Sequence, residues 1–373
     1  MNDIANPLLQ GIRVLDLSRL LPGPFCSLYL AQLGAEVIKI EEPNGGDYTR
    51  AMSPEMFAVV NRGKKSVTLD LRKPEDVQLF HRMVEQSDVV LESFRPGVMD
   101  KLGCGYDTLK ALNPRLVYAA LTGYGQTGPY RDRPGHDMNY CGYAGVLDQL
   151  GVAGGPPAPA NFQIADLAGG ALTCAIGILA AVIGARASGQ GSMVDVGMMD
   201  GTLAMQVVTL GTMRTFGKAP QRGEDMLSGG LPNYAIYECA DGRHLALGSL
   251  ESKFFQRACI VAGRPDLAKK PFAPGKAGEG LRQELVALFK SKTRDEWEAL
   301  LAHDDTCASG ILNPEEVLEN EQVKARGLVE MVNGKPAYAM PIQFSMPRIV
   351  LGDSPKLGQH NAEVLAQFGL SRS

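Results

Sequence analysis

No Cys-x-x-Cys pair and no His/Cys cluster occurs in this sequence. Its seven cysteines (Cys26, Cys104, Cys141, Cys174, Cys239, Cys259, Cys307) are scattered and odd in number. A zinc site and a disulfide framework are therefore not expected, and reduced thiols fit a cytoplasmic compartment. The glycines of the N-terminal region do not spell Gly-x-Gly-x-x-Gly, so a nicotinamide site is not indicated. Excess positive charge is also missing: the net charge is −4, which argues against a nucleic-acid binder. The first twenty residues lack a basic region followed by a long apolar one, so no signal peptide is expected. The last three residues, Ser371-Arg372-Ser373, are not the Ser-Lys-Leu peroxisomal address.

One apolar run stands out, LAGGALTCAIGILAAVIGA over Leu167–Ala185, bounded by Asp166 and Arg186. Its length approaches a membrane span, but no second span or aromatic belt accompanies it. Its Gly and Ala content suits a buried helix packed closely inside a large fold or across a subunit interface.

What is present is a chain of 373 residues, 45% hydrophobic and 21% charged, which predicts two domains and no disorder. Strand-like runs at residues 11–17, 35–40, 66–71, 88–92 and 115–121 alternate with helical stretches at 24–33 and 75–86. That alternation predicts an α/β fold with a Rossmann-like parallel sheet. Gly/Pro punctuation between Lys218 and Pro232 suggests a connection between lobes. Beyond it, Tyr234–Glu238 and His244–Gly248 flank an Asp241-Gly242 turn of hairpin type, followed by amphipathic helices at 281–290 and 294–302. The expected division is a large domain over residues 1–200 completed by 331–373, a linker over 201–227, and a small α+β domain over 228–330.

Three residues can carry chemistry. Among five histidines, His136 alone sits in a Gly/Pro-rich loop (RPGHDMNY, 133–140) that opens a helix, where backbone amides favour developing negative charge. Asp166 is the only acid at the head of the apolar run. It reads equally as an N-cap and as a carboxyl raised in pKa by desolvation, fit to act as acid, base or nucleophile. Glu251 reads as an acid at a helix start. For an anionic ligand the basic candidates are Lys39 at a strand end, the Asn61-Arg62-Gly63-Lys64-Lys65 turn, and Arg95 in Phe94-Arg95-Pro96-Gly97, since ligands gather at strand ends of α/β sheets.

With these residues in view, the sequence resembles the class III CoA-transferase (CaiB/BaiF) family, which includes formyl-CoA transferase, carnitine CoA-transferases and α-methylacyl-CoA racemase. The family-wide segments are Gly11–Glu41, Asn61–Leu71, Leu91–Leu102 and LTGYGQTGP at Leu121–Pro129. GHDMNY at Gly135–Tyr140, RGEDMLSGG at Arg222–Gly230 and the run Pro232–Phe255 look specifically like the racemase branch. The resemblance implies that His136 and Asp166 are the paired acid/base groups and that Glu251 orients or charges His136. It implies that the Asp137 amide helps hold the thioester oxygen. Lys39, Arg62, Lys64, Lys65 and Arg95 would contact CoA phosphates, with Tyr124 and Gly125 beside the ligand. It further implies an interlocked homodimer sharing its active sites, an acyl-CoA thioester as substrate, and no metal or organic cofactor. Lys39 departs from the arginine common in the racemase branch, which keeps a charge but loses bidentate phosphate geometry. The rival chemistry within the family is CoA transfer, in which the Asp166 position is the nucleophile.

Overall fold

The computed structural model describes residues 8–371. Six short strands, β1 (Arg13–Asp16), β2 (Glu36–Glu41), β3 (Lys65–Thr68), β4 (Val89–Glu92), β5 (Val117–Thr122) and β6 (Met193–Gly197), form one sheet in the order β3-β2-β1-β4-β5-β6. Every pairing in it is parallel, as expected for the Rossmann-like sheet. The central strands are buried along their whole length because helices cover both faces, and apolar runs such as Val89-Val90-Leu91 follow from that. The order reverses between β1 and β4, the point where a crevice opens beyond the strand carboxyl ends.

The first helix, Pro22–Gln32, starts two residues before the expected Pro24. Proline is tolerated in a first helical turn, where its missing N–H has no partner to lose. Gly34, at φ 101°, ends the helix and turns the chain into β2. The edge strand β3 is covered by the chain's return: Asn361 Oδ1 accepts from Thr68 N at 2.8 Å, and the helix Asn361–Gln367 follows. Pairing the edge in this way removes a template for aggregation. Leu15, Ile38, Val67, Phe80, Met83, Val90, Tyr118, Val364 and Phe368 share one core.

The chain divides into two compact units. One comprises residues through Val146, Ala160–Gln206 and the chain from Ala325; the other comprises Leu147–Pro159 and Val207–Lys324. The expected linker over 201–227 thus contains helical structure, Met198–Ala204 and Val207–Phe216. Segment 147–159 joins the second unit because Arg222 donates to the backbone oxygens of Asp148 (2.7 Å) and Gly155. In that unit β7 (Tyr234–Glu238), β8 (His244–Gly248) and β9 (Ala308–Gly310) make an antiparallel sheet, with the hairpin where Asp241-Gly242 placed it. Its core gathers Tyr237, Leu247, Phe255, Phe289 and Trp297, whose indole N–H donates to Phe289 O at 2.9 Å.

Beneath the strand exits of the first unit lies a buried polar ladder. Asp16 accepts from Ser18 N (2.9 Å), the Ser18 hydroxyl and Ser27 Oγ (2.6 Å), and pairs with Lys64 at 3.3 Å. Lys64 also donates to Pro24 O, Ser27 Oγ and Asn61 Oδ1. Burial alone would raise the Asp16 carboxyl, but the Lys64 and Lys39 charges and the serine hydrogen bonds outweigh it and hold its pKa at about 2. Its contribution to stability is therefore present above about pH 4, the unfolded carboxyl range, and is lost as pH falls through about 2. We expect Lys64→Met to cost about 3–5 kcal/mol in urea unfolding at neutral pH, because it strands a buried carboxylate. Adding Asp16→Asn should recover much of the loss; a single-variant cost below about 1 kcal/mol would place this pair with weak surface bridges.

Candidate active site

Asp166 stands in a π-helical turn, Ala165–Leu172, that runs on into the α-helix Thr173–Ser188. Wide π turns are uncommon and concentrate at functional positions. This one is wedged against the helix Met198–Ala204: a Cβ on Gly201 would lie 1.9 Å from Gly169 O, so only glycine allows the backbones to meet. The helix that follows buries Cys174, Ala175, Ile178, Val182 and Ala185 on one side. Ile176 and Ile183 on the other side are exposed.

His136 is the N-cap of the helix Asp137–Tyr143. Its backbone N–H donates to Asn139 Oδ1 at 3.0 Å, and Asn139 N returns a bond to His136 O at 2.8 Å. The ring is exposed. The next residue joins the two halves of the site: Asp137 Oδ1 accepts from Ala165 N (2.7 Å) and Asp166 N (3.0 Å). The Asp137 carboxylate thus satisfies donors at the head of the π turn, a role with no sequence signal beyond its acidity.

Burial, and secondarily the Asp137 charge, push the Asp166 carboxyl up to about 7. The same neighbourhood holds Tyr140, whose phenol is pushed up by burial and then by Asp166, Tyr124 and Asp137, against an opposing pull from Arg95. Tyr140 also donates to Gly135 O at 2.5 Å. Tyr124 packs edge-on against Tyr140 at 5.2 Å between ring centres and against Tyr130 at 5.8 Å. Gly125 takes a left-handed φ of 79°, and its N–H donates to Thr122 Oγ1 at 3.0 Å. His136, Asp137, Asp166, Tyr124, Gly125 and Arg95 therefore all belong to the carboxyl-edge region of the first unit. Glu251 lies in the second unit, exposed, as the N-cap of Ser252–Val261.

The basic residues divide. Lys39 is fully buried, paired with Asp47 at 3.0 Å and donating to Ser18 O. Lys64 belongs to the Asp16 ladder. Arg62 is also buried, held by Glu330, Val59 O and Tyr338 O. Lys65 opens β3 rather than closing it and pairs with Glu36 and Glu363. Arg95 follows β4, is exposed, and has no ion-pair partner among the described residues. Local basic density in the sequence thus marks internal partners, and the single Arg72 after β3 is likewise paired, with Asp70 and Glu42, whereas the lone Arg19 after β1 has no carboxylate partner among the described residues.

Asp166 should hold its proton below about pH 7 and release it above. The unfolded chain releases the same proton near pH 4, so this group lowers stability as pH rises from about 4 to about 7. Comparing urea unfolding of the wild type and Asp166→Asn across that window should show a steeper decline in the wild type. Parallel curves would contradict the raised pKa.

The family model for CoA-transferase family III matches residues 9–361. Alpha-methylacyl-CoA racemase of Homo sapiens is 37% identical over 98% of this chain and 94% of its own. Succinate–glutarate CoA-transferase of Agrobacterium fabrum is 36% identical over 99% and 98%. A CaiB/BaiF family protein from Brucella suis superposes with a TM-score of 0.85 at 33% identity, covering 96% of this chain and 99% of that one. With an α/β sheet of this order and matches across nearly its full length, the chain belongs to CoA-transferase family III.

Proposed function

We propose that the protein is a racemase or epimerase that inverts the α-carbon of 2-methylacyl-CoA thioesters by two-base proton transfer between His136 and Asp166. The observation that carries this reading is Asp166 at the head of a π turn, its carboxyl raised to about 7 by burial and its backbone N–H donating to the carboxylate of Asp137, the chain neighbour of His136. A carboxyl poised near neutrality can both take and return a proton. One group removes the α-proton, and the C–H electron pair delocalises into the thioester carbonyl as an enolate. The other group then delivers a proton to the opposite face. The Asp137 amide, first in its helix, is assigned to the enolate oxygen, where one well-placed donor contributes roughly 3–4 kcal/mol. Glu251 is assigned to orient or charge His136. Arg95, the most exposed of the five basic candidates and the one without an ion-pair partner among the described residues, is the preferred CoA phosphate contact, with Tyr124 and Gly125 beside the ligand. The reaction needs no metal or organic cofactor, and the seven free cysteines, six of them buried, suit a cytoplasmic enzyme.

The alternative is CoA transfer between carboxylic acids through an aspartyl-CoA thioester on Asp166. The Agrobacterium fabrum relative named above, almost as similar as the human one, favours it. Incubating the chain with (R)-2-methylacyl-CoA in deuterated water separates the two. Deuterium entry at the α-carbon with loss of chirality, independent of any acceptor acid, is expected. His136→Gln and Asp166→Asn should each slow racemisation by about 100-fold or more. Exchange absent, with a new acyl-CoA formed only when an acceptor is added, would establish the transferase instead.

The active protein is further proposed to be a homodimer. Ile176 and Ile183 on the long helix of the first unit, and Val207 and Phe216 in the second, are each about 70% exposed, an arrangement that monomers avoid when it forms patches. Sedimentation equilibrium should give about twice the 40.0 kDa chain mass. A monomer at micromolar concentration would remove this part of the proposal.

A further inference from the structure

We infer that Arg19 binds an oxyanion of the thioester ligand, a phosphate of the CoA moiety or a carboxylate of the acyl group; this rests on the acyl-CoA reading above. Arg19 sits where the sheet order reverses. It follows β1, and its backbone N–H donates to Ser93 Oγ at 3.1 Å, just beyond β4. The residue therefore bridges the two strand exits that border the switch-point crevice of an α/β sheet.

Its side chain is held but not neutralised. The guanidinium lies 5.0 Å from the Phe94 ring centre and 5.1 Å from that of Tyr48, and donates to Tyr48 Oη at 3.0 Å. Among the described residues it has no carboxylate partner. Other cations of the first unit behave otherwise: Lys39 of β2 meets Asp47, and Arg50 meets Glu41. A half-buried guanidinium steered by two rings, with its fork still open, is suited to bidentate recognition of an oxyanion.

The loop that carries Arg19 is fixed at a conformational cost. Leu20 has a φ of 66°, in the left-handed region that side chains with a Cβ avoid. Its N–H is held by Asp47 Oδ1 at 3.1 Å, and Asp47 in turn by buried Lys39. Strain of this kind persists where the surroundings over-determine the backbone. Here it sets the direction in which Arg19 leaves the sheet.

Titration calorimetry of the full chain with CoA, pantetheine, propionyl-CoA and succinyl-CoA tests the assignment, using Arg19→Gln and Arg19→Lys. Arg19→Gln should weaken binding by about 10-fold or more wherever the oxyanion is present. Loss for CoA and both thioesters with pantetheine unchanged identifies a phosphate. Loss confined to succinyl-CoA identifies an acyl carboxylate. Affinities within two-fold of wild type for all four, or an equal loss that includes pantetheine, overturn the assignment. Should the Gln variant fail to fold, Arg19→Lys decides: a several-fold loss limited to anionic ligands supports the fork, and wild-type affinity overturns it. A wild-type chain that binds neither CoA nor its thioesters would refute the acyl-CoA reading itself, and this inference with it.

Discussion

The buried charge ladder that joins the end of β1, the middle of β2 and the start of β3 is the constraint on which the first unit depends. Asp16 and Lys39 are directly opposed across β1 and β2, and each has a buried counter-ion in Lys64 and Asp47. Groups so deeply buried would be costly if unpaired. Once paired and hydrogen-bonded, they fix how the chain leaves β1 and enters β3. The helix Pro22–Gln32 departs from this ladder, with Ser27 among its members, and the π turn that carries Asp166 packs against that helix.

The site is built on this base by a second polar link. Asp137 bonds to the amides that open the π turn, so the loop after β5 and the head of the long helix are set by one carboxylate. The same carboxylate adds a negative charge near Asp166 in a partly desolvated place. Structure and chemistry are thus coupled: the interaction that shapes the turn also helps raise the pKa of the acid that it presents.

Much of the fold was legible because period and punctuation act locally. Val/Ile/Leu runs marked five strands of the parallel sheet, and Asp241-Gly242 placed the hairpin of the second unit. Less visible was the content of 201–227, where glycines and methionines masked two helices, and the start of the first helix at Pro22. Of the site, His136 and Asp166 could be found as unusual residues in unusual contexts. Asp137 could not be given its carboxylate role, since its partners Ala165 and Asp166 lie 28 and 29 residues away.

By itself the sequence determined the α/β class, the alternation of elements, the candidate acid and base, and family membership through long matching segments. These depend on side-chain pattern and motif, which need no knowledge of distant contacts. Only the tertiary structure decided which charges face inward. Lys39, Arg62 and Lys64 look in sequence like available basic residues, yet each meets partners brought from elsewhere in the chain, while Arg19, a lone arginine between Ser18 and Leu20, keeps an open guanidinium. Burial and pairing are properties of where the chain returns upon itself, and that is why charge in a sequence does not say whether it is available.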